Sequence, residues 1–156
     1  MNALSRPYHY VECGLDYVYL ANGFEIRPTP NGEQLTITNP KGLHRAIGKF
    51  LVTRKKELTG KEVRFLRHEM DMSQPTLARL LGVTEQTIHK WENGKTTQVP
   101  APATGLIRVL YSDYVGERSR VRGRLKKIAD LENEIDDLVT FISGERSWRE
   151  TRAKAA

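Results

Sequence analysis

Cys13 is the only cysteine among 156 residues. One thiol closes no internal disulfide and builds no Cys-rich zinc site, so a disulfide scaffold and a four-cysteine finger are both excluded. The count suits a reducing compartment, and a cytoplasmic location is the expectation. No apolar run approaches the roughly 18 residues of a membrane span. The opening residues, MNALSRPYHYVEC, hold no apolar stretch of the signal-peptide kind, and no membrane role is expected. Metal-ligand spacing is also missing. His9 and Cys13 lie four apart, but two ligands are too few, and His44, His68 and His89 show no ligand pattern. Residues 1–58 contain no Ser/His/Asp or Cys/His arrangement and no phosphate loop. Neither an enzyme nor a cofactor is expected.

What is present is a basic chain with enough apolar content to fold. Hydrophobic residues make up 38%, too many for a disordered polymer. The length allows one ordinary domain or two small ones. Net charge is +6, which admits an anionic partner, nucleic acid first, without showing one. Its distribution says more. Residues 1–40 are net −2, residues 41–100 net +6 and residues 101–156 net +2. Within the last segment, six basic residues and no acid lie between Arg118 and Lys127. Five acids and no base lie between Asp130 and Asp137.

Four of the six tyrosines, Tyr8, Tyr10, Tyr17 and Tyr19, fall within twelve residues. Tyr8–Val11 and Tyr17–Leu20 read as short strands by aromatic and β-branched content. Asn22-Gly23 and Asn31-Gly32 are turn signals, and Phe24–Arg27 and Gln34–Thr38 flank the second. Pro28 and Pro30 keep the first of those strands short or at an edge. A small antiparallel sheet of three or four strands is expected. Its tyrosines serve either cross-strand packing, the plainer role, or a partner surface. Asn39 can then cap a helix with Pro40 at its first position. Leu43, Ala46, Ile47, Phe50 and Leu51 repeat with helical spacing along one face. Arg54-Lys55-Lys56 complements the dipole at its end, with phosphate contact as the alternative.

Residues 59–99 carry the clearest punctuation. Thr59 with Glu62 three residues on is a capping-box signature, and Val63, Leu66 and Met70 form an apolar stripe. Ser73 caps a second helix, Pro75 sits harmlessly in its first turn, and Leu77, Ala78 and Leu81 supply a buried face. Gly82 ends that helix. Thr84 caps a third almost at once, with Ile88 and Trp91 inward and Asn93-Gly94 as its stop. Two short helices joined by so tight a turn must cross steeply, the helix-turn-helix geometry. The outer face of the third helix is Glu85, Gln86, His89 and Lys90. Such a helix fits a DNA major groove. There Gln86 can pair with adenine, Lys90 can donate to guanine, and Glu85 can accept from cytosine or repel phosphates at wrong registers.

SQPTLARLLGVTEQTIHKWENGK resembles the helix-turn-helix of Xre-type regulators, the Cro and phage-repressor group. The shared pattern is Ser-Gln, Leu-Ala, Leu-Gly-Val, Thr, Ile and Trp-Glu-x-Gly, and the likeness covers Thr59 to about Leu110. The resemblance implies base contacts from Thr84, Glu85, Gln86, Thr87, His89 and Lys90 to double-stranded DNA. It implies phosphate contacts from Gln74, Asn93, Lys95 and Thr96. It also implies a buried ion pair between Arg67 and Glu92. His89 departs from the more usual Ser or Arg at its place, which leaves the operator open. The overall layout is similar to two-domain antitoxins, in which an N-terminal module neutralises a toxin. Members with a zinc module use two cysteine pairs, and Cys13 alone cannot supply them.

Pro100 and Pro102 punctuate the chain before a closing helix over Ala103–Val115. A last long helix is expected from near Ser119 to Ile142. Its seam is Val121, Leu125, Ile128, Leu131, Ile135, Leu138 and Ile142, spaced three or four apart. An antiparallel pair of copies would set Arg122, Arg124, Lys126 and Lys127 against Glu132, Glu134, Asp136 and Asp137. The same seam can instead pack on its own domain. The expected fold is therefore mainly α with a small β N-terminal module, a five-helix Xre-type helix-turn-helix bundle and a long C-terminal helix. Residues 1–40 form the β module and 41–58 a connecting amphipathic helix. Residues 59–115 form the DNA-binding domain, 116–143 an amphipathic, dimerising helix and 144–156 a flexible tail. Function is expected to be that of a sequence-specific transcriptional regulator. A homodimeric repressor on a palindromic operator is the first reading. The alternative is an antitoxin that binds a toxin through its N-terminal module and autoregulates its operon.

Overall fold

A computed structural model describes residues 6–94, 98–116, 140–143 and 148–151. Local chemistry accounts for most of its element boundaries. Strands β1 (Tyr8–His9) and β2 (Tyr19–Leu20) pair antiparallel, Tyr8 with Leu20 and His9 with Tyr19. Between them Val11–Cys13 form a 3-10 turn that Gly14 closes at φ +85, a conformation glycine adopts without a Cβ penalty. That turn cuts short the expected strand through Val11, and the second strand begins at Tyr19 rather than Tyr17. Strands β3 (Phe24–Thr29) and β4 (Gly32–Ile37) form a hairpin in which Pro30 and Asn31 make the loop. Pro28 stands within β3 opposite Glu33. A two-stranded ribbon leaves an outer edge on each strand, where a missing N–H costs no ladder bond. The expected single sheet of three or four strands is thus two separate ribbons.

Five helices follow among the described residues: α1 (Pro40–Arg54), α2 (Gly60–Glu69), α3 (Gln74–Leu81), α4 (Glu85–Glu92) and α5 (Ala101–Val115). Each of the first four starts on a side-chain cap. Asn39 accepts from the Gly42 N–H, Thr59 from Glu62, Ser73 from Thr76 and Thr84 from Thr87. Each cap satisfies one of the N–H groups that a helix start leaves unpaired. Helix α1 packs on α2 and α5 and is an integral part of the bundle. Its inward stripe is Ile47, Gly48 and Leu51, while Phe50 is 45% exposed, so the buried face is rotated from the periodicity expected. Arg108 of α5 caps the other end of α1. Its guanidinium donates to the carbonyls of Leu51, Val52 and Lys56 at 3.2, 3.0 and 2.9 Å. The first two are carbonyls that the helix end itself cannot satisfy, and the third belongs to the bend that follows.

The core runs through Leu51, Leu58, Val63, Leu66, Met70, Leu77, Ile88, Ile107 and Leu110, all fully buried. It extends into the N-terminal module through Tyr10, Leu15 and Leu20. Leu80 is buried and Leu81 only half-buried, the reverse of the expected emphasis. Two glycines set how closely the helices approach. A Cβ on Gly60 would fall 1.6 Å from the Trp91 carbonyl oxygen, and one on Gly48 would fall 2.1 Å from the Tyr111 hydroxyl. Burial pushes the Tyr111 phenol up to about 12.

A further hairpin is formed by β5 (Thr140–Ser143) and β6 (Trp148–Thr151), with Thr140 opposite Thr151 and Ser143 opposite Trp148. This corrects the C-terminal reading. Ile142 extends the helical spacing on paper, but Thr140, Phe141 and Ile142, as β-branched and aromatic residues, suit a strand. The expected helix therefore cannot reach Ile142, and the expected tail contains a strand. The basic run at 118–127 and the seam from Val121 to Leu138 lie outside the described residues.

The glycine contacts give a paired prediction. Gly60→Ala should lower stability in urea unfolding by about 1–3 kcal/mol or more, because the obstructing atom is backbone and α2 must part from α4. Gly105→Ala meets nothing within 4 Å in the interior of α5. It should raise stability by roughly 0.5–1 kcal/mol.

Candidate nucleic-acid interface

Helices α3 and α4 are joined by Gly82 and Val83 alone, with Thr84 already capping α4. Gly82 adopts φ +68. Its N–H reaches back to Arg79 O at 3.3 Å, and the Val83 N–H reaches Ala78 O at 3.0 Å. These bonds close the end of α3 and turn the chain sharply. Ala78 and Leu77 are buried where the two helices meet. Across the junction, Ile88 and Trp91 anchor the inner face of α4.

The opposite face of α4 is polar and open. Glu85, Gln86, His89 and Lys90 are all exposed, and Thr87 is half-buried. The Thr84 and Thr87 hydroxyls lie 2.9 Å apart at the cap. The His89 ring lies 2.7 Å from the Asn93 amide. Gln86 and Lys90 carry no hydrogen bond or salt bridge to other described residues. Their donors and acceptors stay available to base edges, which offer a readable pattern in the major groove. Lys95 and Thr96 lie outside the described residues.

Behind this face, Glu92 is buried and accepts three bonds. Arg67 Nε donates to Oε1 at 2.6 Å and Arg67 Nη2 to Oε2 at 3.0 Å. Gln74 Nε2 donates to Oε2 at 2.6 Å. Arg67 also donates to Met72 O at 2.8 Å. A planar guanidinium meeting a carboxylate through two bonds fixes orientation as well as distance. The network joins α2, the start of α3 and the last residue of α4. Burial pushes the Glu92 carboxyl up, but the bonds from Arg67 and Gln74 outweigh it and hold the group below its ordinary value. Gln74 was expected to touch phosphate. The structure shows its amide bonded to Glu92, a link that sequence spacing does not reveal because the partners are 18 residues apart.

The module residues singled out in the sequence have partners of their own. His9 Nε2 lies 2.6 Å from Asp16 O and its ring stacks on Tyr19. Cys13 Sγ donates to Tyr10 O at 3.2 Å, and burial pushes its thiol up. Two contacts tie the module to the bundle. The Tyr10 hydroxyl lies 2.8 Å from His44 Nε2, and His44 Nδ1 lies 2.8 Å from Glu69 Oε1. Lys55 stands over the Tyr17 ring and 3.5 Å from Glu62 Oε1. Burial, followed by the charge of Glu62, raises the Tyr17 pKa.

Residues 63–100, about a quarter of the chain, match a family model described as helix-turn-helix. No curated protein and no solved structure matches the chain. Among the described residues, no helix is long and apolar enough to cross a membrane.

Because the Glu92 carboxyl titrates lower in the folded chain, it contributes stability above the ordinary carboxylate pKa. That contribution is lost as pH falls through the lowered folded value. Glu92→Gln should cost about 3–5 kcal/mol near neutral pH by leaving Arg67 buried without its counter-charge. The gap between wild type and this variant, followed by urea unfolding, should narrow as acid protonates Glu92.

Proposed function

We infer that residues 63–100, which match the helix-turn-helix model, are of the Xre (Cro and phage-repressor) type, a DNA-binding fold of transcription regulators. From that premise we propose that the chain is a homodimeric repressor that reads a palindromic operator in the major groove. The observation that carries this reading is the exposed polar face of α4, held outward by buried Ile88, Trp91 and Glu92. Gln86 and Lys90 would read bases, with Glu85 and His89 restricting the sequence and Thr84 and Thr87 shaping the first turn. Asn93, Lys95 and Thr96 would meet phosphates beyond the helix end. Gln74 would do so from the start of α3, placed by its bond to Glu92. Phosphate contacts set register and supply affinity, and base contacts supply specificity.

A single recognition helix spans few base pairs. Two-fold pairing doubles the interface and demands half-sites about one helical turn, or a multiple, apart. The charge-segregated segment beyond α5 would supply such pairing between copies. The antitoxin reading draws support from a different observation. Val11, Tyr17 and Tyr19 stand 52, 41 and 59% exposed on the acidic N-terminal module, as a protein-binding surface would require. A small toxic enzyme encoded beside this chain and silenced by it would favour that reading.

Gln86→Ala should weaken binding to a selected operator by roughly 1–3 kcal/mol and relax one base position, whereas Lys95→Ala should lower affinity on all DNA and shallow its salt dependence. Equal loss of operator and random-sequence binding in Gln86→Ala would contradict base reading. Truncation after Gly116 should yield a monomer in sedimentation, and a truncated dimer would refute pairing through the C-terminal segment.

A further inference from the structure

A cleft of about 410 Å³ opens between the 3-10 turn of the N-terminal module and the outward side of α2. Cys13 and Gly14 line one wall, and Lys61, Arg64 and Phe65 line the other. Its hydrogen-bonding groups are unevenly spent. Every carboxylate in it already has a donor. Glu12 accepts from the Tyr8 hydroxyl, Glu69 faces the His44 ring, and Glu92 is held by Arg67 and Gln74. The cations are different. Lys61, Arg64 and His68 follow at i, i+3 and i+7, which brings them onto one stripe of α2. Neither Lys61 nor Arg64 has a hydrogen-bond or salt-bridge partner among the described residues. The hydrogen-bond donors left unused in the cleft are therefore those of Lys61 and Arg64, and Phe65 and Cys13 beside them are apolar.

We propose that this cleft binds a small organic anion, with its carboxylate or phosphate on Lys61 and Arg64 and its apolar body against Phe65 and Cys13. A guanidinium with an ammonium one turn away suits either anionic group, and Arg64 can engage two of its oxygens at once. The two cations are exposed, so the anion enters without a conformational change. The positive field of Arg64 already reaches His68, whose pKa is lowered by burial, then Arg67, then Arg64. An anion at Arg64 relieves that field.

The site also has a route to the DNA-reading helix. Glu92 lines the cleft and carries the bonds that place Gln74 and the end of α4. Neutralising Arg64 removes one of the cations that keep Glu92 ionised. It also lowers the positive potential of the segment that must meet phosphates. Occupancy should therefore weaken DNA binding. This second claim alone rests on the DNA-binding reading; ligand binding stands without it.

The test uses the full chain without DNA, at constant ionic strength. Phenyl phosphate, benzoate and inorganic phosphate are titrated separately and followed by amide NMR shifts. Phenyl phosphate, benzoate or both should bind saturably, shifting Cys13, Phe65 and His68, and inorganic phosphate should bind more weakly. Arg64→Gln should weaken binding about tenfold, the loss of one charge-assisted contact. Lys49→Gln, on an exposed cation of α1 that does not line the cleft, should bind as wild type does. Circular dichroism checks that each variant is folded. No saturable shift with either organic anion, or equal affinity in Arg64→Gln and wild type, would overturn the site. Equal affinity for inorganic and phenyl phosphate would refute the apolar half of it. In a second arm, saturating phenyl phosphate should reduce DNA affinity of wild type severalfold and leave Arg64→Gln unchanged. An unchanged wild-type affinity would sink the coupling alone. Failure to bind any DNA would count against the regulator reading and leave the ligand result intact.

Discussion

The buried carboxylate of Glu92 is the constraint on which the helix-turn-helix geometry depends. Ionised and nearly solvent-free, it is tolerable only because Arg67 and Gln74 saturate it. Those two donors come from different helices, so satisfying one charge fixes α2, the start of α3 and the end of α4 together. An apolar contact would tolerate sliding or rotation. A forked guanidinium on a carboxylate does not. Buried ion pairs contribute little net stability, since desolvation cancels much of the attraction. The value of this one lies in orientation, because it fixes the register in which α4 exposes Gln86 and Lys90.

Backbone closeness is the second constraint. Gly60 lies so near the Trp91 carbonyl that no side chain fits between them, and Gly48 leaves room for the Tyr111 ring. The first lets the start of α2 abut the end of α4, where the Glu92 network lies. The second brings α1 against α5, and Arg108 closes the same contact by capping α1. Helix α1 is consequently held at both ends, by Asn39 at its start and by Arg108 at its finish.

The N-terminal module is joined to this frame through polar contacts more than through a shared sheet. Tyr10, His44 and Glu69 form one chain of hydrogen bonds, and Tyr17, Lys55 and Glu62 form a second cluster. Both end on α2, the helix that holds Arg67. The module is thus tied to the same helix whose Arg67 holds Glu92, and the cleft with Lys61 and Arg64 is lined by His44 and Glu69 of the first connection.

Local chemistry determined the helices of this protein. Asn39, Thr59, Ser73 and Thr84 accept bonds from residues three positions on, and Gly82 turns the chain at a positive φ that glycine adopts at least cost, so these boundaries follow from short-range stereochemistry alone. The polar face of α4 is equally local, since helical periodicity decides which residues share a side. Pairing across the chain followed other rules. Whether four short strands make one sheet or two ribbons depends on the 3-10 turn at Val11–Cys13 and on the edges left free. Ile142 satisfies helical spacing yet lies in a strand, 140–143, that pairs with 148–151. Phe50 lies outside the buried stripe of α1 because the position of α5 decides which side is covered. The bond from Gln74 to Glu92 and the reach of Arg108 to α1 join residues far apart in the chain. No periodicity encodes them; only the closed tertiary structure brings them within a hydrogen bond's length.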